Sequence, residues 1–277
     1  MSAPAVQPVR PMRPVHPLRV VRHSAANAFA DMRAVYTWKT WTFGWLGRML
    51  AQVTFFVLLG RLVGGPDQAR YLIVGNALMT CVIESLTVVA SSTWERAAGT
   101  LPLLAAAPAK PTWVFLGRSL QWPISGTGTS LVALFVLGPA FGVSWSAAQV
   151  PVAVVLVVLT AVGTYFLGLF LAALVLNAGS VRNVVSNAGY LLMMAVCGVQ
   201  VPVGYWPEWV GWTAQAIPLT HFLGALRSLT DGADLATVSG EAAVGLLVGL
   251  AWLGAAHLMF ESLLRRGRRA GTIDFAS

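Results

Sequence analysis

Six long apolar stretches divided by short polar breaks leave this chain few folds to choose from. They run Trp45–Val63, Tyr71–Ser91, Trp113–Leu137, Val152–Leu176, Val184–Val201 and Ala242–Leu264. A helix rises about 1.5 Å per residue, and about 20 residues cross a hydrocarbon core. Each stretch is close to that length or beyond it. Together they use nearly half of the 277 residues and divide the remainder into pieces too short for a soluble catalytic domain. The expected fold is an all-α integral membrane protein of six transmembrane helices, with its energy source elsewhere.

Composition agrees. The chain is 57% hydrophobic and 10% charged, where a soluble domain carries about 25% charged residues. The net charge is +8, and its placement says more than its size. Arg10, Arg13, Arg19, Arg22, Arg33, Lys39 and Arg48 precede or open the first stretch. Arg96, Lys110, Arg118, Arg182, Arg265, Arg266, Arg268 and Arg269 fall in alternate breaks or after the last stretch. The other breaks hold Arg61, Arg70 and Arg227 beside Asp67, Glu208, Asp231, Asp234 and Glu241. By the positive-inside rule both termini lie in the cytoplasm, and the Arg-over-Lys, Ala/Val/Gly-heavy composition hints at a bacterial plasma membrane. The basic balance thus reports orientation and anionic lipid headgroups. No basic, aromatic-rich soluble module suggests nucleic acid.

Outside the stretches, residues 1–26 read as a Pro- and Arg-rich disordered tail, and 265–277 as a basic tail. Residues 27–42 read as an interfacial helix with Phe29, Met32 and Tyr36 on one face and Asp31 on the other. Trp38, Lys39 and Trp41 follow where the chain meets the bilayer, a depth tryptophan favours. In the third stretch, Pro123 and the run Gly126–Ser130 suggest a kink. Residues 203–230 are semi-apolar and broken by Pro207 and Pro218. Each half is too short to cross, so two short helices dipping into the outer leaflet are expected. Gly245 and Gly249 have the spacing of a close helix–helix approach.

The chemistry is sparse. No Gly-Lys-Ser/Thr phosphate loop is present, so the chain is not an ATPase of that type. His16, His23, His221 and His257 are too scattered for a metal site, and Cys81 and Cys197 sit singly in apolar stretches. Glu84 is the acid deep inside a stretch, where a charge is expensive. It reads either as lining a substrate path, with Tyr190 and Asn187, or as a protonated packing group bonded to a neighbouring helix. His257 reads as a packing hydrogen bonder, and His221 and Arg227 as groups that hold the two short helices. An intramembrane enzyme would have Glu84 and His257 as its only groups. A membrane anchor without transport is a further alternative.

The run Trp94-Glu95-Arg96-Ala97-Ala98-Gly99-Thr100-Leu101-Pro102-Leu103-Leu104, then Pro108, resembles the cytoplasmic motif of ABC-2 type transporter permeases. The segment through Trp206, Pro207, Pro218, His221 and Arg227 is similar to that family's segment before its last span. Pro102 stands where the family often has an acid. The resemblance implies a type V exporter fold, with re-entrant helices before the last span. It implies a permease dimer, a homodimer or else a heterodimer, with two copies of a separate cytoplasmic ATPase that holds ATP and magnesium. It makes 92–110 a coupling segment, with Trp94, Glu95, Arg96, Gly99, Thr100 and Leu101 as its contact residues. The implied direction is export. A hydrophobic or amphipathic small molecule, such as an antibiotic, is the expected cargo. A lipid-linked glycan is the alternative, though five tyrosines would line its groove thinly.

Overall fold

The computed structural model of the protein describes residues 16–92, 110–176 and 179–270. Its first helix, α1 (Pro17–Val35), begins well before the expected residue 27. Proline does not exclude helix at this point. Pro17 occupies the first turn, where a missing N–H costs nothing, and His16 Nδ1 accepts from the Leu18 amide at 3.3 Å. Tyr36 is extended and ends the helix, so Tyr36, Trp38, Lys39 and Trp41 lie beyond α1. Thr37 and Thr40 then exchange side-chain and backbone hydrogen bonds that start the next helix. Val21, Ser24, Ala28, Phe29 and Met32 form the sheltered stripe of α1.

Helix α2 (Thr40–Ser91) contains the first two stretches in 52 residues. It is not straight. Gly65 has φ 75° and ψ −161°, a conformation only glycine adopts freely, and Pro66 restarts the helix. The limbs 40–64 and 66–91 therefore fold back on each other. Leu72 fills the space that a side chain at Gly60 would take, and Trp45 and Arg48 come beside Glu84. The break between the first two stretches, residues 64–70, shrinks to a one-residue turn.

The third stretch is α3 (Pro111–Ala140), interrupted by a turn at Ser119 and Leu120. The fourth is α4 (Gln149–Val175). The fifth is helical only over α5 (Arg182–Val196), about 22 Å long, because Gly198 turns the chain with φ 85°. Two short helices follow, α6 (Glu208–Gln215) and α7 (Pro218–Thr230). The last is α8 (Leu235–Ala270), which continues past the expected 264 into the arginines. Cations are favoured at a helix C-terminus. Its other end is capped by Asp234, which accepts from the amide and hydroxyl of Thr237; these bonds hold the carboxyl below its ordinary range.

Among the described residues, α2, α3, α4 and α8 are long and apolar enough to cross a membrane. They pack around α4. One apolar core joins α2, α4, α5 and α7; a second, nearer α1, joins the start of α3 to α4 and α8. In the second core Phe115 and Phe260 stack with centroids 4.9 Å apart.

Candidate functional site

Three places in the bundle bear on function. At one end α1 lies across the start of α3. The contact is close because Gly117 has no side chain: a Cβ there would fall 2.6 Å from the Val21 carbonyl oxygen and 2.5 Å from Ser24 Cβ. Arg118 pairs with Asp31 at 3.2 Å. Exposed pairs of this kind contribute about 0.2–1 kcal/mol, so packing at Gly117 decides how α1 sits. Phe29 and Met32 are on the sheltered face, as the spacing requires. Thr112, the second residue of α3, shares a hydrogen bond with His257 Nδ1 at 2.9 Å. The start of α3 is thereby tied to both α1 and α8. The expected coupling residues Trp94, Glu95, Arg96, Gly99, Thr100 and Leu101 lie outside the described residues, in the segment between α2 and α3.

The second place is the interior around Glu84. Its side chain is 1% exposed and accepts from Thr129 Oγ1 at 2.5 Å. A Cβ at Gly126 would lie 3.0 Å from Glu84 Cβ and from the Cys81 backbone. Gly126 thus marks a close-approach face of α3. Trp41 Nε1 donates to Ser125 Oγ at 2.9 Å, and Gln52 Nε2 to the Tyr190 hydroxyl at 2.7 Å. Trp45 Nε1 lies toward the Glu84 carboxyl yet closes no hydrogen bond of good geometry. Arg48 is close enough to both Glu84 and Tyr190 to act on them electrostatically.

Trp41, Trp45, Arg48 and Gln52 thus form one polar face of the first limb. The sequence reading missed that face. Its signal was the spacing of four, three and four residues, which places them on one side of a helix. Glu84 and Tyr190 are brought to this face, while Asn187 is exposed on α5.

The third place is the pair α6–α7. Gln149 Nε2 donates to the Leu229 carbonyl, which sets the end of α7 beside the start of α4. Pro218 and Phe222 meet Gly163, near the middle of α4, and Trp252 Nε1 donates to the Ala216 carbonyl at 2.8 Å. The start of α7 therefore lies beside the middle of α4 and its end beside the start of α4. Pro207 precedes α6, Pro218 opens α7, and His221 Nε2 bonds the Gln215 carbonyl at 2.9 Å to brace the apex. Trp206 Nε1 donates to the Ala195 carbonyl, linking α6 to α5. Gly245 and Gly249 serve different partners. A Cβ at Gly245 would meet the Phe222 ring, and one at Gly249 would lie 3.0 Å from Gly163 Cα. Arg227 lies flat on Tyr71, its Cζ 3.6 Å from the ring centroid.

The family model described as ABC-2 type transporter matches residues 31–230, from within α1 through the end of α7. No curated protein matches the chain.

Proposed function

The chain belongs to the ABC-2 type transporter family, and from that membership we propose that it is the membrane-spanning subunit of an ATP-driven exporter of a hydrophobic or amphipathic small molecule. Family membership makes it the permease component of an ABC transporter, associated with an ABC ATPase subunit. In the proposal two permeases pair as a homodimer on two ATPase subunits. The α1 end, with Arg48, Arg118, Arg182, Arg265 and Arg266, faces the cytoplasm. The two limbs of α2, then α3, α4, α5 and α8 make six crossings, and α6–α7 is a re-entrant pair on the outer side.

One observation carries this reading. Helix α1 is seated on the first turns of α3, which begins directly after the segment bearing Glu95 and Arg96. Motion of an ATPase against that segment would reach α3, and through His257 also α8. The direct test is to purify the chain gently from its native membrane and assay ATP hydrolysis. A co-purifying nucleotide-binding subunit with vanadate-sensitive activity, stimulated by cargo, is expected. A preparation that retains other membrane complexes but holds no ATPase would overturn the proposal.

Coupling gives a sharper test. Exchanging the charges, Glu95→Arg with Arg96→Glu, is expected to leave the bundle folded and to lower transport per ATP about tenfold, within the range of site-to-site coupling energies. Transport at the wild-type ratio would remove this segment from the mechanism.

Glu84 is assigned here to packing, because it is enclosed and already bonded to Thr129. Glu84→Gln is expected to leave cargo preference and transport per folded molecule unchanged. Glu84→Leu, which leaves the Thr129 hydroxyl only its 3.2 Å bond to the Ser125 carbonyl, should lower thermal stability by about 1 kcal/mol. A changed cargo spectrum or pH dependence in Glu84→Gln would instead place the carboxyl in the path.

A further inference from the structure

At the end of the bundle remote from α1, a pocket of about 260 Å³ is lined by Asp67, Arg70, Tyr71, Ser144, Arg227 and Asp231, among others. Two cations and two carboxylates thus face one small space. Among the described residues no ion pair joins Asp67, Arg70, Arg227 and Asp231 to one another. Opposite charges around a concave space, with Asp231 near enough to Arg227 to act on it electrostatically but not paired with it, suit a ligand that carries both signs.

Arg227 is held rigidly. Its guanidinium lies on the Tyr71 ring and donates Nη2 to the Tyr71 carbonyl at 3.4 Å. Tyr71 is itself fixed by donating its hydroxyl to the Gly198 carbonyl. Gly75 and Gly198 leave the room: a Cβ at either would come within 3.2 or 3.4 Å of the guanidinium nitrogens. Yet Arg227 Nε is buried with no hydrogen-bond partner. Buried donors are nearly always satisfied, and guanidinium is well shaped for a phosphate. Asp67, Arg70 and Ser144 are exposed at the rim, so a ligand can enter.

We propose that this pocket binds a phosphate–ammonium zwitterion, with phosphate oxygens on Arg227 and Arg70 and a primary ammonium on Asp67 and Asp231. The pocket sits where α2 turns and α7 ends, the level of lipid headgroups for a bundle of this length. The zwitterion can come from a phosphoethanolamine lipid or from a soluble phosphoethanolamine compound. The proposal needs only that the chain spans the membrane, and its failure would leave the permease reading standing.

The test uses the full chain in nanodiscs of phosphatidylcholine. O-phosphoethanolamine is titrated against thermal stability, with phosphocholine and inorganic phosphate alongside. Phosphoethanolamine is expected to stabilise the chain, with at least about tenfold higher affinity than either comparison, because a quaternary ammonium cannot donate hydrogen bonds and phosphate leaves the carboxylates unpaired. The rim substitutions Arg70→Gln and Asp67→Asn should each weaken binding about tenfold, the range of one lost charge-assisted bond. These rim positions keep the test independent of Arg227, whose removal could disturb the fold.

Native mass spectrometry after mixing phosphatidylethanolamine into the nanodiscs separates the sources. Retention of that lipid over phosphatidylcholine, lost in Arg70→Gln, assigns the site to lipid; binding of the soluble probe without retention assigns it to a soluble compound. Absence of both, equal binding of all three probes, or unchanged binding in both rim variants would overturn the proposal.

Discussion

Gly117→Val is expected to abolish coupled transport while the bundle stays folded. A Cβ at 117 meets the α1 backbone at the Val21 carbonyl, which cannot swing aside as a flexible side chain would. Overpacking of this kind costs about 1–3 kcal/mol, more than the Arg118–Asp31 pair contributes. Helix α1 rests chiefly on α3, so strain is relieved by lifting α1 rather than by opening the core. Asp31→Asn should therefore change little, and Gly128→Ala, with open space around it, should be silent. The distance between spin labels on α1 and α3 would report the lift, and ATP-driven transport in vesicles its consequence. Wild-type transport with α1 displaced would show that this helix does not transmit force.

Gly249→Leu should prevent folding altogether. Helices in lipid gain little from the hydrophobic effect and associate through close packing, so small residues at crossings matter more than in water. At Gly249 the obstacle is backbone, Gly163 Cα at 3.0 Å, and α4 and α8 would have to separate along the core. No monodisperse protein is expected on size exclusion after detergent extraction. Gly254→Leu on the same helix meets nothing within 4 Å and should behave as wild type. Gly245→Leu is intermediate. Its obstacle is the Phe222 ring, so adding Phe222→Ala should restore part of the loss, and the two changes should be non-additive. A folded Gly249→Leu protein would mean that this crossing is looser than the structure has it.

The apolar lengths made four of the long helices legible, because a 20-residue hydrocarbon run has few other outcomes. The Pro207 and Pro218 breaks likewise marked the two short helices, Pro207 standing just before the first and Pro218 opening the second. What stayed hidden depends on partners distant in sequence. Pro17 opens a helix where proline density suggested disorder, because it stands at the first turn beside a capping histidine. Residues 197–201 are as apolar as the helix before them, and only the conformation of Gly198 ends it. Pro123 and the Gly126–Ser130 run read together as a kink; the helix breaks at Ser119 and Leu120, just before Pro123, while Gly126 meets the Glu84 limb, a partner that nothing local shows. The polar face of Trp41, Trp45, Arg48 and Gln52 was present as a spacing, but tryptophan and arginine near a bilayer surface look like anchors until Ser125, Glu84 and Tyr190 are seen opposite them.

The turn at Gly65 bears on how this molecule is made. With one residue between the limbs, almost no chain closure has to be won before Leu72 meets Gly60, and contacts so close in sequence form early. The first limb also exposes Phe55, Leu58, Leu59 and Leu62, so its other sides are at ease among acyl chains. During synthesis the pair can therefore leave the insertion machinery as one unit, with Glu84 already facing Trp45 and Arg48 when it first meets lipid. Lengthening that turn would cost the finished protein little and would act instead on the nascent chain, as a lower yield of inserted protein.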